Sequence, residues 1–217
     1  LCYDSPTLDN YYCGLFERNG NTTGPKVEEA YQILEGSLFE SSANFASMRA
    51  RGVDTNLSYR RNFDWGNLSL GAVWTRMIQR DDFTNPQDPG YADRILGELN
   101  DPKNRVNLNA SVTVGKATFG YQMRWIDKMY LNNYEDVNPL NGQPPQNADY
   151  AEVTYYPDVS YHDFRFGLEV NDKFNLYAGV DNVFDKVPPY GLTGGGGGSG
   201  IYDARGRYGY IGIRAKL

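Results

Sequence analysis

From about residue 50 onward, apolar and polar positions alternate with a period of two, seven times over. The run near 50–62 sets Val53, Thr55, Leu57 and Tyr59 against Asp54, Asn56, Ser58 and Arg60. The runs near 66–79, 104–114 and 117–129 follow the same rule. Val106, Leu108, Ala110, Val112 and Val114, for instance, face away from Asn107, Asn109, Ser111 and Thr113. Three more runs lie near 161–171, 173–183 and 207–217. Period two is that of a strand with one apolar face, so the pattern predicts seven strands, each of about ten residues. That is longer than the five or six typical of soluble strands and matches the length of a tilted membrane-spanning strand.

The polar faces carry Asn, Ser, Thr, Gly, Arg and Glu, which suits either bulk water or the wet interior of a large barrel. The connections discriminate. The links at Asn62–Gly66, Gly115–Lys116 and Asn171–Lys173 are tight, whereas those at 80–103, 130–160 and 184–206 are long and polar. Short and long alternate strictly, as they do in outer-membrane barrels, where periplasmic turns are tight and extracellular loops long. A Greek-key sandwich has no reason to produce that order. The predicted fold is therefore all-β: an antiparallel up-and-down segment of a transmembrane β-barrel. Residues 1–49 read as an extracellular loop or hairpin, with 27–40 either an extended hairpin or a short helix, and residues 50–217 as the seven strands. The Gly194–Gly198 run reads as a flexible loop tip or linker.

Composition narrows the picture. Tyr accounts for 18 of 217 residues, and so many half-apolar, half-polar rings suit membrane-interface belts. Tyr59, Trp65, Trp74, Trp125, Tyr130, Tyr161 and Tyr208 fall near predicted strand ends, either as such girdles or as cross-strand packing. No apolar run approaches the ~20 residues of a spanning helix. The mean hydropathy of −0.61 does not separate a soluble domain from a barrel, whose strands alternate. A net charge of −6 argues against nucleic acid as a partner, since phosphate contacts need clustered Lys and Arg. Cys2 and Cys13 share one polar, Tyr-rich segment. They are either a disulfide closing a small loop in an oxidising compartment or two free thiols. The chain begins at Leu1 without a signal peptide and is expected to be part of something longer.

Several stretches resemble the TonB-dependent outer-membrane receptors. Leu176-Tyr-Ala-Gly-Val-Asp-Asn-Val-Phe-Asp185 resembles their penultimate strand with its Gly-Val-x-Asn-Leu-Phe-Asp ending, and Pro188 and Pro189 follow. Tyr202-Asp-Ala-Arg-Gly-Arg-Tyr208 is similar to the family's Tyr-Asp-x-x-Gly-Arg approach to the last strand. Ala50-Arg-Gly-Val-Asp-Thr-Asn-Leu-Ser-Tyr59 resembles its Gly-Val-Glu/Asp strand, and Cys2 to Cys13 with Arg18 resembles a loop of a proteobacterial branch. The resemblance implies an active transport receptor of the Gram-negative outer membrane that takes up a scarce nutrient such as an iron–siderophore, a cofactor or an oligosaccharide. It implies extracellular long loops, a periplasmic C-terminus, and a parent barrel of 22 strands closed around a plug. The partners it implies are the remaining barrel and plug, the TonB complex acting through that plug, outer-membrane lipid and lipopolysaccharide, and the barrel-assembly machinery. Tyr210, Gly212, Ala215 and Leu217 are the positions corresponding to the assembly signal, although Ala215 and the non-aromatic terminus depart from the pattern. Two other readings are a passive porin-like barrel and a soluble all-β binding domain.

Residues that could carry chemistry are few. His162 is the sole histidine, and it reads as a girdle or loop-base residue, not the centre of a catalytic or metal constellation. Asp81, Asp82, Asp88 and Asp93 share one loop but fit no EF-hand spacing, and no Lys-Ser/Thr follows the glycine run as a phosphate loop requires. The sequence therefore predicts no enzyme, no cofactor and no metal site. Binding is expected in the loops, where Tyr130, Tyr134, Tyr150, Tyr155 and Tyr156 either contact ligand or pack the loop. Arg124, Arg165, Glu169, Arg214 and Lys216 are expected to face the lumen.

Overall fold

The computed structural model describes residues 2, 6–7, 9–20, 32–39, 46–85, 88–149, 154–189 and 199–216. It divides into two compact units, Leu1–Ser47 with Phe83–Tyr91, and Met48–Asp82 with Ala92–Leu217.

In the first unit Cys2 and Cys13 form a disulfide across 11 residues. Cys13 opens a one-turn 3-10 helix, Cys13–Leu15, whose approach is held by the Asn10 side chain: its Oδ1 accepts the Cys13 N–H at 3.0 Å and its Nδ2 donates to the Thr7 carbonyl at 2.9 Å. Residues 32–39 are not helical; they hold a turn at 35–36, closed by the Ser37 N–H donating to the Leu34 carbonyl at 3.0 Å. The Asn19 N–H donates to the Gln32 carbonyl and the Leu34 N–H to the Glu17 carbonyl, both at 2.8 Å, so this stretch pairs back on 15–19 as an irregular hairpin. The intervening residues 21–31 lie outside those described.

The second unit is built on one antiparallel sheet. Its strands are β1 (Ser47–Phe63), β2 (Gly66–Phe83), the short β3 (Asp93–Arg94), β4 (Asn104–Val114), β5 (Ala117–Ile126), β8 (Val159–Glu169), β9 (Phe174–Asp181) and β10 (Tyr208–Ala215). A separate two-stranded ribbon pairs β6 (Met129–Tyr130) with β7 (Tyr155–Tyr156). The main order is β1-β2-β4-β5-β8-β9-β10, with β3 beside the end of β2. Each long strand thus pairs with the next long strand in the chain, which is an up-and-down meander. All the tight turns fall at one end and all the long connections at the other. Gly115, at φ +56°, opens the two-residue Gly115–Lys116 turn in a left-handed conformation that glycine adopts without a side-chain clash.

Register sets the two faces. Val112 opposes Phe119, which opposes Phe166, which opposes Ala178, which opposes Ile211. The row beside it runs Ser111, Gly120, Arg165, Gly179, Tyr210. One face is therefore apolar across the whole sheet, and it is uncovered: Leu57 is 67% exposed, Phe119 52% and Ile211 83%. The opposite face carries small polar groups over its middle. Between β9 and β10 the polar face has a reciprocal fit. A β-carbon on Gly179 would run into the ring of Tyr210, and one on Gly212 into the ring of Tyr177. Each tyrosine lies flat over the glycine opposite it, a known way of shielding glycine in a sheet.

The core sits at the loop end, on the side that is polar elsewhere. Ile126, Met129, Tyr156, Val159, Tyr161 and Tyr202 form one buried cluster, with Leu99, Leu131 and Ile201 packed against it. Loop residues 95–103, the β6–β7 ribbon and residues 199–206 supply its roof.

Candidate functional site

The loop end of the polar face is where buried charge concentrates. Tyr161 and Asp163 on β8 are 1% and 3% exposed and Asn182, just past β9, is 0% exposed. Asp163 Oδ1 accepts the Asn182 N–H at 2.8 Å, and its Oδ2 lies 3.7 Å from Arg124 Nε. Arg124 reaches in the other direction to Asp203, Nη2 to Oδ2 at 3.4 Å, with its guanidinium over the Tyr161 ring at 5.2 Å. The Tyr161 hydroxyl accepts the Asp203 N–H at 3.1 Å. Arg124 therefore bridges a buried carboxylate on the sheet to a carboxylate on the 199–206 connection. A buried carboxylate needs such donors to offset its lost hydration.

Beside this bridge lies a cleft of about 440 Å³ lined by Arg124, Asp181, Tyr202, Asp203, Arg205 and Tyr208 among others. Arg205 lies over the Tyr208 ring at 5.2 Å. Burial pushes the Tyr202 hydroxyl up to about 12, with smaller contributions from Tyr161 and Tyr156, so this roof residue stays neutral at any ordinary pH.

The Asn182–Asp185 and Arg205–Arg207 segments brace one another. Asn182 Nδ2 donates to the Lys186 carbonyl at 2.9 Å and its Oδ1 accepts the Lys186 N–H at 2.8 Å. Asp185 Oδ1 accepts the Arg207 N–H at 2.8 Å, and Arg207 Nη2 stands 3.9 Å from Asp185 Oδ2. Gly206, at φ +76°, comes within 3.0 Å of Asp185 Oδ1 measured from where its β-carbon would sit. A side chain there would be strained on both counts. These residues hold the connection over the cleft.

No protein-family profile and no curated protein matches the chain. Among solved structures it is similar to a mutant of the ferric enterobactin receptor of Pseudomonas aeruginosa. The identity is 17% and the TM-score 0.47, over 76% of this chain and 22% of that one. The chain thus spans about a fifth of that protein's length.

The predicted residues divide by position. Of the loop tyrosines, Tyr130 and Tyr156 are buried, at 6% and 8% exposed, and pack the loop. Tyr134 and Tyr155 are half-buried: Arg94 caps the Tyr134 ring at 3.9 Å, and the Tyr155 ring packs tilted against Tyr130 with centroids 4.9 Å apart. Tyr150 lies outside the described residues. Arg124, Arg165, Glu169 and Arg214 fall on the polar face by register. Lys216 follows β10 and donates its N–H to the Lys173 carbonyl at 2.8 Å. Tyr210 and Gly212 are the polar-face partners of Gly179 and Tyr177, Ala215 ends β10 opposite Phe174, and Leu217 is outside the described residues.

The strand-end aromatics also separate. Trp74 and Trp125 sit on the apolar face near the loop end, each with its indole N–H satisfied: Trp74 Nε1 donates to Asn104 Oδ1 at 3.2 Å and Trp125 Nε1 to Asp158 Oδ2 at 2.9 Å. His162 shares that face and level, with Nδ1 2.8 Å from the Tyr121 hydroxyl. Tyr130 and Tyr161 are not girdle residues, because the loops fold over them. Asp163, Asn182 and Asp203 were not foreseen as site residues. Asn182 and Asp203 lie inside the two family-like motifs, which was the one signal available; for Asp163 there was none.

Proposed function

We propose that this chain is the C-terminal part of an outer-membrane transport receptor, energised by TonB and taking up a scarce nutrient. The observation that carries the membrane half of the reading is the uncovered apolar face. It crosses the middle of all seven long strands, opposite a face of Ser, Thr, Asn, Gly and Arg, with all long connections at one end. A soluble sheet covers such a face with a second layer, and a large exposed apolar patch marks an interaction surface. Lipid acyl chains are the occupant that suits a face of this extent, and the hydrogen-bonded Trp74 and Trp125 suit its outer water boundary. The receptor half rests on the motif resemblance at 176–185, 202–208 and 50–59. In this reading the long loops are extracellular, the C-terminus is periplasmic, the remaining barrel and plug come from the parent protein, and the work is binding and translocation.

The test is heat-modifiable migration on a detergent gel, together with outer-membrane fractionation of the parent protein. A folded species that runs faster unboiled, found in the outer membrane, is expected. A chain that stays monomeric and folded in buffer without detergent, with no lipid partition, would sink the reading. A passive porin would conduct ions without TonB or a plug, and planar-bilayer recording on the parent protein separates that case.

A further inference from the structure

The middle of the polar face holds a second concavity, away from the loop-end cleft. It measures about 370 Å³, within the range of small-molecule sites, and is lined by Arg60, Ser69, Asn109, Ser111, Gln122 and Arg165 together with neighbouring glycines and backbone. Among the described residues, no carboxylate lines it. Cross-strand register explains why. Ser69 opposes Ser111, Ser111 opposes Gly120 and Gly120 opposes Arg165. The two-residue Asp64–Trp65 turn between β1 and β2 puts Arg60 opposite Ser69. Arginine thus stands at two positions of one row, with only hydroxyls and glycine between them, before the row continues through Gly179 and Tyr210.

The next row toward the turn end (Asn67, Thr113, Thr118, Gly167, Tyr177, Gly212) carries no charge. Among the described residues, the acids of this face stand away from that row, at Asp54, Asp81, Asp163 and Asp181 toward the loops, where Asp163 is held by Arg124 and Asn182, and at Glu169 toward the turns. In a chain of net charge −6, the central field of this face is locally cationic. Arg165 is steadied by a hydrogen bond from Nη2 to Gln122 Oε1 at 3.3 Å, which leaves its other N–H groups for a ligand. A β-carbon on Gly71 would meet nothing within 4 Å, so the floor is open there. The two arginines are rooted four strand steps apart, about 19 Å at ~4.8 Å per step. Their long side chains reach inward over hydroxyl and amide donors.

We propose that this row is a binding site for a small polyvalent oxyanion, gripped at its two ends by Arg60 and Arg165 and underneath by Ser69, Asn109 and Ser111. Guanidinium groups pair with phosphate or carboxylate oxygens through parallel N–H donors. Two of them at opposite ends of one trough select for ligands carrying more than one negative group. The proposal rests on the reading of this face as the inner wall of the barrel, and it names the charge class of what binds there.

The experiment uses the parent protein in detergent micelles, with heat-modifiable migration checked first. Inorganic pyrophosphate is then titrated by calorimetry at low salt, with glycerol as the neutral control. Saturable pyrophosphate binding is expected, weakened roughly tenfold in either R60Q or R165Q, as for loss of one charged hydrogen-bond partner. R165K should retain part of the affinity, and added NaCl should weaken binding by screening. A folded chain that shows no saturable binding, or whose R60Q/R165Q double variant binds like wild type, overturns the oxyanion site and leaves the membrane reading standing. A parent protein that gives no heat-modifiable species overturns both.

Discussion

The turn-end and loop-end halves of the sheet come from the same strands yet follow different rules. In the turn-end half, alternation is strict, and each face meets a single environment. In the loop-end half the apolar face continues unchanged, but the polar face is roofed over. Ile126 and Val159 occupy polar-face positions there and are buried, and so are Tyr161 and Asp163. A period-two pattern reports what each face touches, not which residues belong on it. Where a loop supplies a second layer, both faces can be apolar, and a buried charge then has to be answered by a specific partner.

The largest effect should come from cutting into the roofed half. Tyr161→Ala removes a fully buried ring together with its hydrogen bond to Asp203, and is expected to cost about 3–5 kcal/mol. Urea unfolding in micelles should show the loss. A change below about 1 kcal/mol would mean that the roof is not packed as described. Next come the two faces of the turn-end half. Phe119→Lys puts a charge in the middle of the apolar face and should cost about 2–4 kcal/mol in lipid, whereas Ser111→Lys on the polar face should cost little. Equal penalties for the two lysines would abolish the distinction between faces. Smaller again is Gly212→Ala, which forces the Tyr177 ring off its seat, at about 1–3 kcal/mol for overpacking. Tyr177→Ala in the same chain should recover part of that loss, and a double-mutant cycle measures how much.

The smallest effect is electrostatic. Glu98, in the loop between β3 and β4, accepts the Tyr134 N–H at 2.7 Å. Burial, with Glu135, Asp93 and Asp101 nearby, raises its carboxyl from an ordinary 4.5 to about 7, the Tyr134 hydrogen bond opposing the shift. Between those two values the packed loop holds more protons than the open one. Its stability is therefore greatest at low pH and falls as pH rises through about 7. Amide exchange over 129–138, corrected for intrinsic rates, should loosen across that window in the wild type and stay flat in Glu98→Gln. An unchanged profile in the variant would assign the effect to another group.

Much of the turn-end half was legible beforehand. The strand Asn104–Val114 and the tight turns follow from alternation and from glycine. The second strand runs on to Phe83 instead of stopping near 79, because Asp81 and Asp82 pair with Arg94 and Asp93 of β3. Local periodicity contains no record of that distant partner. β5 stops at Ile126 instead of 129, where the Asp127 N–H turns to the Asn104 carbonyl at 3.1 Å. Candidate site residues were legible in kind but not in combination. Arg124 lies on the polar face, yet its partners come from 39 and 79 positions away in the chain. The Asn182–Asp185 and Gly206–Arg207 motifs stood out as sequence before the structure gave them a physical task, which is to brace one connection.

The tyrosine–glycine fit between β9 and β10 has a consequence for how the hairpin finds its alignment. Sliding one strand past the other by two residues keeps every side chain on its proper face, so the hydrophobic effect is nearly blind to that error. After such a slide Tyr210 would meet Tyr177 or Asp181 in place of Gly179, and two bulky groups would contend for one seat. The pair of rings and gaps therefore works as a vernier, distinguishing the one true setting from neighbours that look the same to oil and water.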